Sequence, residues 1–81
     1  MHMTVNLINF LYDKSYIINI YEDYIHVFNY NELISLSSKK IELKFEKFNL
    51  VIDGQNLFIN KMCSNEALIK GQISKVGFNY E

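Results

Sequence analysis

The 81-residue sequence contains no arginine, no proline and no tryptophan, one cysteine and three glycines. Without arginine, every basic residue is a lysine. The lysines are spread from Lys14 to Lys75, and only Lys39 and Lys40 are adjacent. A nucleic-acid-binding face needs clustered basic side chains and usually a high pI. Here the net charge is -1 and the pI about 6.1, so nucleic acid is excluded as the expected partner. A single thiol, Cys63, forms no internal disulfide, whereas small secreted domains usually depend on several. The expected location is therefore cytoplasmic. No apolar run exceeds three residues, so no direct membrane span is expected. The start lacks a charged stretch leading into an apolar one, so no signal peptide is expected either. Ile, Asn, Lys, Tyr and Phe are abundant instead, a bias that follows AT-rich codons.

What is there suffices for one small globular domain. Hydrophobic residues make up 49% and charged residues 21% of the chain, which is neither the low hydrophobicity nor the high net charge of a disordered segment. A domain of this length buries roughly 60% of its unfolded-chain surface, so its core is thin.

The chemistry-bearing residues are few. His2 and His26 are the only histidines, Cys63 is far from both, and no C-x-x-C occurs, so no metal is expected. Cys63 lies in the turn-like run Met62-Cys63-Ser64-Asn65 and reads as a small loop residue, not as a nucleophile with an orienting base. Glu22 and Asp23 are adjacent, point opposite ways on a strand, and read as a solvated turn. Gly54, Gly71 and Gly77 join strand to strand, whereas a phosphate-binding loop joins strand to helix, so they read as turn or bulge glycines and no cofactor is expected. The chain is not expected to be an enzyme.

Hydrophobic periodicity points to β-structure. From Thr4 to Tyr12, Val5, Ile8 and Leu11-Tyr12 fit a helical stripe, giving a short N-terminal helix, with a lead-in strand as the alternative. From Tyr16 onward the period is two. Turn candidates fall at Glu22-Asp23, Asn29 to Asn31, Ser37 to Lys39 and Lys61 to Asn65, and Asp53-Gly54 is a strong hairpin signal. Lys40 to Glu46 is the clearest strand, with Ile41, Leu43 and Phe45 on one face and alternating charge on the other. Parity changes between Ile73 and Val76-Phe78, which suggests a bulge near Gly77. The expected fold class is mainly β: a small antiparallel β-meander or sandwich of about seven or eight short strands. Ile34, Leu43 and Ile52 recur at equal intervals, which admits a stacked solenoid. Residues 1–15 form a separate lead-in, and 16–81 a single β domain.

Tyr24, His26, Phe28 and Tyr30 form an aromatic stripe opposite Ile25 and Val27. Either the aromatics face outward and mark a protein interface, or they are themselves the core. A hydrophobic patch on so small a domain also makes a homo-oligomer an expectation.

These residues carry a resemblance over Tyr16 to Phe78. Asn29-Tyr30, with Leu33 and Ile34 after it, is followed by Leu50, Ile52, Gly54, Leu57 and Ile59 in the spacing L-x-I-x-G-x-x-L-x-I. Then come Glu66, Leu68, Ile69, Gly71, Ile73, Val76 and Phe78 in the spacing E-x-L-I-x-G-x-I-x-x-V-x-F. The pattern resembles the YabP/YqfC family of bacterial sporulation proteins, and its early portion resembles the YqfC branch. Lys47-Phe48 and Tyr21-Glu22 stand where relatives often carry a glycine. The resemblance implies a non-catalytic protein of the mother cell, acting with a membrane protein encoded nearby or in coat and cortex assembly. The competing reading is a small ligand-binding or nucleic-acid-binding β domain, which needs a concave pocket or basic neighbours for its aromatics.

Overall fold

The computed structural model describes residues 16–80. They form six strands: β1 (Ile17–Ile20), β2 (Tyr24–Phe28), β3 (Glu32–Leu36), β4 (Lys40–Lys44), β5 (Phe48–Met62) and β6 (Glu66–Tyr80). All belong to one antiparallel sheet in the order β1-β2-β6-β5-β4-β3. This corrects the expected fold class. Mainly β holds, but the molecule is neither a meander throughout nor a stacked solenoid. No helix occurs among the described residues, and the segment read as a helix lies outside them. Ile34 also departs from its expected place. It sits at a bulge in edge strand β3 and is exposed, whereas Leu43 and Ile52 are buried.

The strand count falls because β5 and β6 run for 15 residues each. The first half of β6 pairs with β2 and the first half of β5 with β4. The inner faces of the two halves close on each other in one core. Ile25, Val27, Ala67 and Ile69 from one half share it with Ile41, Leu43, Leu50 and Ile52 from the other. No second layer is needed, because the sheet bends across its own long hairpin.

Three irregularities in the β5–β6 ladder produce the bend, at Asp53/Gly54, Gln55/Phe58 and Ile59/Lys61. Asp53-Gly54 is therefore no hairpin turn but the middle of a strand. Gly54 is there because the backbone of Gln72 passes too close for a side chain. Asn56, at φ 53, and Gly71, at φ 135, supply the left-handed conformations of the bend. The parity change in β6 is real, but the extra residue is Ser74, whose Oγ donates to the Asp53 carbonyl at 3.1 Å. Gly77 sits in a regular stretch with open space around it.

Four hairpins are closed by two-residue turns: Tyr21 N–H donates to Tyr24 O, Ser37 to Lys40, Phe45 to Phe48 and Cys63 to Glu66. None uses glycine. Among the described residues the non-glycine positive-φ positions are Asn29 and Asn56, so no hairpin turn is of the type that needs φ > 0. Two of these turns dock on the bend. The Lys39 and Ser38 carbonyls accept from Gly54 and Leu57 N–H at 3.0 and 2.8 Å, and the Asp23 carbonyl accepts from Gly71 N–H at 3.3 Å.

Candidate interaction surface

Folding the sheet on itself leaves two outward faces of different character. On the β4–β5 side, Lys40, Glu42 and Lys44 alternate with buried Ile41 and Leu43. Asn49 Nδ2 donates to Glu42 Oε2 at 3.0 Å, and Asp53 pairs with Lys75 across the ladder. This is a solvated face.

The β1–β2–β6 side is different. Ile25 and Val27 are fully buried, so Tyr24, His26 and Phe28 project outward and are partly exposed. Register then brings residues beside them that periodicity along one strand does not reveal. Ile17 lies opposite Phe28, Leu68 opposite His26, and Phe58 shares a register position with Lys70, itself opposite Tyr24. Ile17 and Phe58 are 51% and 49% exposed, values far above a core residue, which leaves this apolar surface open, with exposed Lys70 between Tyr24 and Phe58. Tyr21 stacks on Tyr24 with centroids 4.4 Å apart, and the His26 and Phe28 rings lie 4.5 Å apart.

Tyr30 does not join this stripe. Asn29 adopts φ 63, which breaks the alternation and turns the chain toward the other half of the sheet. Tyr30 is consequently a core residue, and its hydroxyl donates to the Cys63 carbonyl at 2.9 Å. Burial pushes its phenol pKa up. Cys63 is exposed in the β5–β6 turn, and Glu22-Asp23 occupies the β1–β2 turn. Gly54 and Gly71 lie at the bend, with Gly71 next to Lys70 at the border of the patch, and Gly77 lies on the charged face.

The polar centre of the patch is a contact that sequence reasoning missed. His26 Nε2 donates to Glu66 Oε2 at 2.6 Å, and Lys61 Nζ lies 3.6 Å from the same oxygen. The His26 hydrogen bond, with help from Lys61, holds the Glu66 carboxyl below its ordinary 4.5 despite partial desolvation. A depressed carboxylate stabilises the fold above its unfolded value and ceases to do so as pH falls through its folded value. Thermal stability is therefore expected to drop as pH is lowered from 4.5 downward, and Glu66→Gln to flatten that slope. Equal slopes for both proteins in pH-dependent melts would count against the His26–Glu66 contact.

A second aromatic group gathers around nearly buried Phe48. Tyr16, Phe45, Phe78 and Tyr80 lie 5.2, 5.1, 5.0 and 5.6 Å from it. It was not legible in advance, because it joins four separate elements. Among the described residues, no three His, Cys, Asp or Glu side chains group as a metal site would require. No helix among them is long and apolar enough to cross a membrane.

No curated protein and no solved structure matches the chain. The model of the YabP family does, over residues 14–81, a span that takes in all six strands, the bend glycines and both outward faces. That match supports a sporulation-related role, and the chain belongs to the YabP family.

Proposed function

We propose that this domain is a non-catalytic structural or adaptor module that works through protein contacts during endospore envelope, coat or cortex assembly. The observation that supports this is the asymmetry between the two outward faces. One is a ladder of charge, the other an open apolar patch built from Ile17, Tyr24, Phe28, Phe58 and Leu68 around the His26–Glu66 pair. Interfaces are enriched in aromatic residues, as this face is. On this reading, Tyr24, His26 and Phe28 are the contact residues and Tyr30 supports them from inside. The partner is a protein, and a membrane protein encoded nearby is the first to test. The domain acts in the mother-cell cytoplasm, peripherally at a membrane or spore surface. Asn29-Tyr30 with Leu33 and Ile34 favours the YqfC-like branch.

The test is capture of partners from sporulating cells by the wild type and by a Tyr24→Ser/Phe28→Ser variant whose fold is verified by circular dichroism. The variant is expected to lose the partner. Recovery of the same partner at the same yield by both would end the proposal for this face.

A further inference from the structure

Among the described residues the bent sheet has four strand edges without a neighbouring strand: β1 and the second half of β5 on one half, β3 and the second half of β6 on the other. Exposed edges invite pairing with another chain, and natural sheets block them with charges, bulges or strand-weakening residues. Three of the four are blocked. β3 carries Glu32 and is bulged between Leu33 and Ser35. The second half of β5 carries Lys61 and a bulge between Ile59 and Lys61. The second half of β6 carries Lys75 and Gly77. β1 is Ile17-Ile18-Asn19-Ile20, regular, without charge, with Ile17 and Ile20 exposed on opposite faces.

We infer that β1 is a self-pairing edge, joining two copies of this chain antiparallel about a two-fold axis at Asn19. The register follows from the hydrogen bonding inside one copy. Tyr21 N–H donates to Tyr24 O, so Tyr21 and Tyr24 form a hydrogen-bonded pair. Such pairs alternate along an antiparallel ladder. Asn19 and Ile17 therefore direct their peptide groups at β2, and Ile18 and Ile20 direct theirs outward. A two-fold at Asn19 places Ile18 opposite Ile20 of the second copy, and the reverse. All four outward N–H groups and all four outward carbonyls of the two β1 strands are then used. Side chains match as well. Ile18 meets Ile20 twice on the inner side, and Ile17 meets Tyr21 on the outer side. No two charges of like sign are brought together along β1, because residues 15–21 contain none.

The axis is normal to the sheet, so both copies present the same outward face and their aromatic patches merge into one. This goes beyond the docking reading and holds whatever binds that face. A four-residue edge buries little area, which places the dimer among weak, concentration-dependent associations.

Disulfide trapping in the full-length chain with Cys63→Ala tests it. In this register the two Asn19 residues form a non-hydrogen-bonded pair, with Cα atoms about 4.5 Å apart. That distance is within disulfide reach. The two Ile17 residues are offset by four positions, roughly 13 Å along the strand, and cannot be bridged. Asn19→Cys is expected to yield covalent dimer on mild oxidation and Ile17→Cys to stay monomeric. Sedimentation of the unmodified chain is expected to show a monomer–dimer equilibrium that Ile20→Pro shifts to monomer. That change removes an outward N–H while leaving the β1–β2 ladder bonds in place.

Equal trapping at both positions, trapping at neither, or a monomer at every concentration would overturn the inference. A monomer whose Ile18 and Ile20 amides resist hydrogen exchange would also overturn it, by showing that something other than a second copy covers the edge.

Discussion

Gly54→Ala is expected to leave the chain largely unfolded under conditions where the parent is native. An added Cβ would stand 2.1 Å from the Gln72 carbonyl oxygen and 3.0 Å from Leu57 Cδ2. The obstacle is backbone, and that backbone is fixed by the β5–β6 ladder on either side of the bend. Neither strand can retreat without breaking pairs that also hold the turns of β1–β2 and β3–β4. Overpacking of a well-filled site costs about 1–3 kcal/mol when side chains can adjust, and here none can. A stability of about 0.05–0.15 kcal/mol per residue leaves little reserve in so short a chain. Gly71→Ala should be nearly as harmful, since its Cβ would lie 2.7 Å from the Asn56 carbonyl oxygen at a φ of 135. Gly77→Ala is the control: nothing lies within 4 Å, and alanine in a strand interior is favoured over glycine by roughly 0.5–1 kcal/mol. Urea titrations followed by circular dichroism separate the three. A Gly54→Ala midpoint equal to that of Gly77→Ala would mean that close backbone approach does not hold the bend.

The second large effect contrasts two phenylalanines. Phe45→Ala should cost about 3–5 kcal/mol, the range for a buried aromatic truncated to a methyl. Phe45 is 1% exposed, stacks on Phe48 at 5.1 Å and meets Tyr16 edge-on at 5.5 Å. Its removal opens a void between the halves of the sheet. Phe58→Ala should change stability by no more than about 0.5 kcal/mol, as exposed substitutions usually do. On the proposed function, Phe58→Ala should instead weaken partner capture. Denaturant midpoints read the first difference. If Phe58→Ala destabilised as much as Phe45→Ala, the patch would belong to the fold and not to an interface.

Strand positions were legible wherever alternation was clean. Lys40 to Glu46 gave β4 and its buried face, and Tyr16 to Phe28 gave β1, the Glu22-Asp23 turn and β2. The long strands were hidden for a specific reason. Gly54 and Gly71 interrupt the period as turn residues do, yet they serve close approach across a bend, while the true turns at Glu22-Asp23, Ser38-Lys39, Glu46-Lys47 and Ser64-Asn65 contain no glycine. Local sequence cannot separate these two uses, because only the partner strand shows which applies. The same limit governed the patch. Tyr24, His26 and Phe28 were visible as a stripe, but which side was core depended on Ala67 and Ile69 packing with Ile25 and Val27. Tyr30 was misplaced because Asn29 shifts the parity by one residue through a left-handed backbone that its identity permits but does not dictate. Glu66 was invisible as a partner of His26, being 40 positions away.

That separation has a kinetic consequence. β3 to β6 form a run in which each strand pairs with its immediate successor through a two-residue turn, and β1 with β2 form another. The β2–β6 seam is the one strand pairing between the two units among the described residues, and it must close a loop of tens of residues before any contact rewards it. The β1–β2 unit therefore docks late in folding and detaches first, so the protein's slowest productive step and its easiest partial unfolding share one seam.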